Sequence, residues 1–189
     1  MTDTLNRRAA MALGLASAAG AALATPALSQ DAAPATVRNN VSGFQMHAWR
    51  DHFDSLGKPM LVADTFSRAL HYWNAEGGDH RIFPTSVPIS DDLTKRGYTE
   101  IVRKKEGPSW TPTPSQMARY PDWKPIGPGP DNPLGTHAMY LSWPAYIIHG
   151  THDTRKIGRR SSDGCIGLYN EMIAELFQLC PVGTRVRVI

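Results

Sequence analysis

The chain has 189 residues, a formal net charge of +3, 41% hydrophobic and 20% charged residues. That length suits one domain with a sizeable core. The mild charge excludes the strongly basic surface of a nucleic-acid binder; the basic cluster weighed below is Arg155-Lys156 with Arg159-Arg160.

The N-terminus sets the compartment. Arg7-Arg8 lead into an almost uncharged run from Ala9 to Ala24, and Ala22-Leu23-Ala24 and Ala27-Leu28-Ser29 offer small-x-small cleavage sites. This order describes a secretory signal peptide, and the paired arginines also suit the twin-arginine type. The apolar run is short against the roughly 20 residues of a membrane span. The expectation is a signal peptide over 1–29, cut after Ser29 with Ala24 as second choice, against the alternative of an uncleaved anchor. Its removal takes away Asp3, Arg7 and Arg8 and leaves a net charge of +2, with no transmembrane segment. The periplasm is the expected location. Residues 30–45 read as a linker and 46–189 as the folded domain.

Met60 to Phe66, Ala69 to Trp73 and Arg81 to Phe83 are short β-branched and aromatic runs, separated by Ser67-Arg68 and by Glu76-Gly77-Gly78-Asp79. They predict a β-meander. From Lys104 to Gly135 the chain is dense in Pro and Gly, which breaks regular ladders; a loop this long is usually functional or disordered. One helical turn is expected at most, over Ser115 to Ala118. Ala138 to Trp143 and Ala145 to Ile148 read as strands, the second delivering His149 at its end. Asn170 is suited to cap a helix, along which Ile173, Leu176, Phe177 and Cys180 form one apolar stripe. Pro181 and Gly183 stop it. In Thr184 to Ile189, alternation puts Val186 and Val188 on one face and the arginines on the other, as in a half-buried strand. The sum is a mostly β fold with one clear helix near the C-terminus.

Cys165 follows a glycine in the turn Ser162-Asp163-Gly164-Cys165, and His149 closes an apolar run. A thiol and an imidazole are the raw material of nucleophilic acyl transfer. The imidazole takes the thiol proton, and a third group fixes its tautomer; the adjacent Gly150 carbonyl can serve. Backbone N–H groups at Gly164 and Cys165 could hold the oxyanion. Other readings exist. His149, His152, Asp153 and Cys165 are potential zinc ligands, though without the usual paired spacing. Cys165 and Cys180 could form a disulfide in an oxidising compartment, or Cys180 could be a lone buried thiol. The Arg155–Arg160 cluster is either a solvated loop or a contact for an anionic substrate.

The motifs His149-Gly150-Thr151, Ile157-Gly158 and Ser162-Asp163-Gly164-Cys165-Ile166 resemble the signature of L,D-transpeptidases with a YkuD-type catalytic domain. Leu61 to Trp73, Trp110 to Pro114, Asn132-Pro133-Leu134-Gly135, Tyr169-Asn170-Glu171 and Pro181 to Thr184 extend the resemblance over most of the mature chain. It implies a β-sandwich-like fold and a peptidoglycan-directed enzyme needing no metal or cofactor. Cys165 would attack the L-centre carbonyl of a tetrapeptide stem, release D-alanine and pass the acyl group to an amine. His149 would be the proton donor and acceptor, oriented by the Gly150 carbonyl, with Ser162, Asp163 and Gly164 around the oxyanion and substrate. Two positions depart from the pattern: Asp163 stands where the family usually has His, and Gly167 where it tends to have Arg. Asp163 should disfavour the thiolate but would favour an imidazolium at His149 if the two approach, so its net effect has no fixed sign; Arg159 or Arg160 could replace the missing arginine. Water as acceptor would make the enzyme an L,D-carboxypeptidase or amidase; loss of catalysis would leave a peptidoglycan-binding relative.

Overall fold

The structure, a computed structural model, describes residues 43–189. The expected signal peptide and most of the expected linker lie outside the described residues. The described residues form ten strands and two α-helices: β1 (Met60–Asp64), β2 (Ala69–Trp73), β3 (His80–Pro84), β4 (Val87–Pro88), β5 (Gly97–Glu106), α1 (Pro114–Arg119), β6 (His137–Leu141), β7 (Ile147–His149), β8 (Arg160–Ser162), β9 (Ile166–Gly167), α2 (Asn170–Leu179) and β10 (Arg185–Val188). Eight strands make one mixed sheet in the order β3-β2-β1-β10-β5-β6-β7-β9, and β4 pairs with β8. The mostly β reading holds, and the predicted meander is the antiparallel set β1-β2-β3.

The ten-residue β5 joins the two halves of the sheet. Gly97 to Glu100 pair with β10, Ile101 to Glu106 pair with β6, and the register shifts between Ile101 and Arg103. A bulge of this kind bends a strand and increases its twist, so one strand serves both halves. Alternation then assigns the faces. Leu61, Ala63, Leu70, Tyr72, Val186 and Val188 join Ile101, Met139, Ile148, Ile173 and Leu176 in the main core. Met60, Val62 and Trp73 face the other way and are covered by Phe53, which is why β1 is buried on both faces. Arg185 and Arg187 point outward, lying over Phe53 and Tyr98.

Five polar side chains cluster on the outer side of β1 and β2. His47 bonds Asp64 at 3.0 Å and His52 at 3.2 Å, and His71 bonds His80 at 3.1 Å. His71 is fully buried; burial first, then the neighbouring His47 and His80, lowers its pKa to about 4.

Asn170 opens α2 but does not cap it. Tyr169 is the capping residue, and the Asn170 amide oxygen instead accepts the Thr136 N–H at 3.1 Å. A Cβ on Gly135, whose φ is 61°, would lie 2.1 Å from that oxygen, and one on Gly150 would lie 2.3 Å from it. Only glycine fits at both places. Asn170 therefore clamps the start of β6 against the residue after His149, tying together three motifs far apart in sequence.

Candidate active site

Parallel pairing of β7 with β9 sets Ile148 beside Ile166 and His149 beside Gly167. Side chains alternate along a strand. One residue before Ile166, Cys165 therefore projects on the same face as His149. Both line a cleft of about 980 Å³. Its floor comes from the sheet, through Tyr140, Ala145, Tyr146 and Ile147. Its opposite wall comes from the Pro-rich segment, through Trp110, Gln116, Arg119, Trp123 and Ile126. Arg103, Arg119, Lys124 and Lys156 line it against Asp122 and Asp163, so cations are in excess.

His149 Nδ1 bonds the Gly150 carbonyl. A carbonyl only accepts, so Nδ1 carries the proton and the neutral ring keeps Nε2 as its basic nitrogen. Burial lowers the His149 pKa to about 4, against the opposing Gly150 bond. The Cys165 thiol is pushed up to about 11 by burial, with the Ile147 backbone opposing and the Asp163 charge adding to the rise. Both shifts favour the neutral thiol and the neutral imidazole over an ion pair. Among the described residues the thiol's hydrogen bond goes to the Ala145 carbonyl at 3.6 Å and not to the imidazole. Apo sites often hold such pairs loosely and tighten them with substrate. Ala145 has φ 63°, a strained conformation for a residue with a Cβ, and this turn aims its carbonyl at the sulfur.

Gly164 has φ 129° and sits 3.6 Å, measured from a Cβ placed on it, from the Leu93 carbonyl and the Tyr146 ring. Its N–H lies 3.4 Å from Ser162 Oγ, which donates to the Cys165 carbonyl at 2.6 Å. Ser162 thus shapes the loop. Tyr146, which the sequence reading passed over, braces it: its hydroxyl donates to Leu93 O at 2.7 Å and accepts from Lys95 N at 2.8 Å. Only its place in the run before His149 marked it.

Of the basic cluster, Lys156 reaches the cleft. Arg155 is held by Asp153 at 2.7 Å. Arg160 pairs with Asp91 at 2.9 Å, and neither Arg159 nor Arg160 is among the residues lining the cleft. The space for a side chain at 167 is already filled, because a Cβ there would meet Ser86 Oγ at 2.4 Å. The zinc set is not gathered: Asp153 is engaged by Arg155, and among the described residues no three His, Cys, Asp or Glu could hold a metal ion. Both cysteines are free. Cys180 is fully buried in the core, and burial pushes its thiol up to about 12.

This architecture is that of solved L,D-transpeptidases. One from Mycobacterium smegmatis aligns with a TM-score of 0.56 at 19% identity, covering 70% of this chain and 58% of that one. LdtMt1, solved in complex with imipenem, aligns at 0.55 and 17%, covering 69% and 58%. Those identities establish the fold. The sequence carries the assignment further: the YkuD model, an L,D-transpeptidase catalytic domain, matches residues 58–188, and the chain belongs to this family. Among curated relatives, the probable L,D-transpeptidase ErfK/SrfK of Escherichia coli K12 is 38% identical over 137 residues, 68% of this chain and 43% of its own length. The probable L,D-transpeptidase YbiS of the same strain is 37% identical over 135 residues, 68% and 44%. The chain thus spans under half the length of these relatives.

Proposed function

We propose that this chain is an exported, periplasmic L,D-transpeptidase that acts on peptidoglycan stem peptides with Cys165 as nucleophile. The observation that carries this reading is the shared strand face: Cys165 and His149 open into one cleft, and the Gly150 carbonyl leaves Nε2 of His149 as the base. From a neutral pair, attack by sulfur needs transfer of the thiol proton to Nε2. As sulfur bonds the L-centre carbonyl of the donor, the thiol proton passes to Nε2, and backbone N–H groups of the cysteine turn would take the developing oxyanion, the Gly164 N–H by giving up its bond to Ser162 Oγ. The imidazolium gives that proton to the departing amine, so D-alanine leaves and a thioester remains. An acceptor amine then attacks the thioester, losing its proton through His149, and the thiol is restored. The cationic excess in the cleft suits stem peptides, which carry carboxylates.

Intact-mass measurement after incubation with imipenem tests the nucleophile. A single adduct on the wild type, absent from Cys165→Ala, is expected. No adduct on either would sink the enzyme reading and leave a peptidoglycan-binding relative. Incubation with tetrapeptide muropeptides should give cross-linked dimers and free D-alanine; hydrolysis products alone would replace the transpeptidase by an L,D-carboxypeptidase.

A further inference from the structure

Residues 107–136 form a strap along the cleft. Its base closes on itself: Asn132 Nδ2 donates to the carbonyls of Pro108, Ile126 and Gly127 at 2.8, 3.2 and 2.8 Å, and Trp110 and Ile126 exchange backbone hydrogen bonds. Farther out lies α1, capped by Thr113 and burying none of its residues. Packing therefore does little to fix α1. Among the described residues, the side-chain hydrogen bonds that carry α1 across to the cysteine loop end on one residue. Gln116 Nε2 donates to Asp163 Oδ2 at 3.0 Å, and Arg119 Nη2 donates to Asp163 Oδ1 at 2.8 Å. Residues three apart share a helix face, so one carboxylate can hold both. Asp163 stands two positions before Cys165, and all four side chains line the same cleft.

We propose that Asp163, Gln116 and Arg119 form a latch that holds the strap beside Cys165 and sets the size of acyl donor that reaches it. The selective role rests on Cys165 being the nucleophile. The latch is made to open. The Arg119 and Asp163 side chains are 44% and 27% exposed, and a pair of that kind is weak and sensitive to salt. Opening would swing the α1 wall away from the sheet floor and widen the cleft without disturbing the strap's base.

The test uses the full chain as wild type, Asp163→Ala, Arg119→Ala and the double variant. Hydrogen exchange reads the latch directly. The Met117 and Tyr120 amides, which donate to Thr113 and Gln116 within α1, should exchange about two- to fivefold faster in each single variant, the factor a part-exposed ion pair is worth. The Trp110 and Ile126 amides should keep their protection. The double variant should match Asp163→Ala, which already removes both hydrogen bonds, while Arg119→Ala keeps the Gln116 bond and should show the smaller effect. The rate of imipenem adduct formation should rise by a similar factor in both singles, and alkylation by the smaller iodoacetamide should change little in Arg119→Ala. Unchanged α1 exchange in both singles, or an additive double variant, would overturn the latch. So would adduct rates that rise in Asp163→Ala and fall in Arg119→Ala, since that pattern reports the charge on the thiol alone. If the wild type forms no imipenem adduct, the nucleophile reading fails while the exchange measurement still decides whether the latch exists.

Discussion

Asn132→Asp is a near-isosteric change that should be badly tolerated. The Asn132 side chain is fully buried. Its amide nitrogen supplies three carbonyls, and its oxygen accepts the Leu134 N–H at 2.8 Å. Asp keeps the acceptor and loses every donor. The carbonyls of Pro108, Ile126 and Gly127 are then left without that partner, and they face a carboxylate. An unpaired buried polar group costs about 1–3 kcal/mol. Asn132→Ala, which loses the same donors without adding a charge, should cost about 2–4 kcal/mol, and Asn132→Asp at least as much at pH 7. The sign with pH separates the two. Facing carbonyl oxygens, the introduced acid gains a folded-state pKa above its unfolded value, so its protonated form supports folding at low pH and that support is lost as pH rises through the folded pKa. Relative to Asn132→Ala, the Asp variant should gain stability between pH 7 and pH 5. Urea denaturation followed by Trp fluorescence at the two pH values measures this. An Asp variant as stable as wild type at pH 7, or one with the same pH response as Asn132→Ala, would refute the reasoning.

Two further outcomes are expected. His71 and His149 both have pKa values lowered to about 4. Unfolded histidines take up protons below about 6.5 while these do not, so stability is complete above that pH and falls towards pH 4, by about 2 kcal/mol for each histidine at pH 5. His71→Phe should remove about 2 kcal/mol of the loss between pH 7 and pH 5 in chemical denaturation, and an unchanged slope would show that His71 is not a source of it. Gly167→Ala should cost about 1–3 kcal/mol by overpacking against Ser86, and Ser86→Gly in the same chain should recover most of it; additive losses in thermal melts would mean that the two positions do not compete for space.

The elements legible in the sequence were those that bury one regular face. The meander, α2 and the alternating Val186 and Val188 lie where periodicity placed them. β5 was missed although it bridges the sheet, because Ile101 is its one fully buried residue and the rest is largely charged and exposed. The Cys165 loop and His149, the proposed nucleophile and base, were readable from short motifs. Tyr146 with Leu93, and Asp163 with Gln116 and Arg119, were not. Each joins residues more than 40 positions apart, and a hydrogen bond across that separation leaves no local pattern. The Arg159 and Arg160 expectation met a competitor of the same kind, since Asp91, 69 positions away, takes the Arg160 guanidinium.

The position of β10 has a consequence for folding. It lies between β1 and β5 and pairs with both, yet it comes last in sequence among the described strands. Until residues 185–188 are in place, β1 and β5 have no strand between them and the eight-stranded order cannot close. Loop closure over such a separation is slow. A chain that stops short of Arg185 would leave β1 and β5 as two open edges, the exposed backbone that invites pairing with another chain.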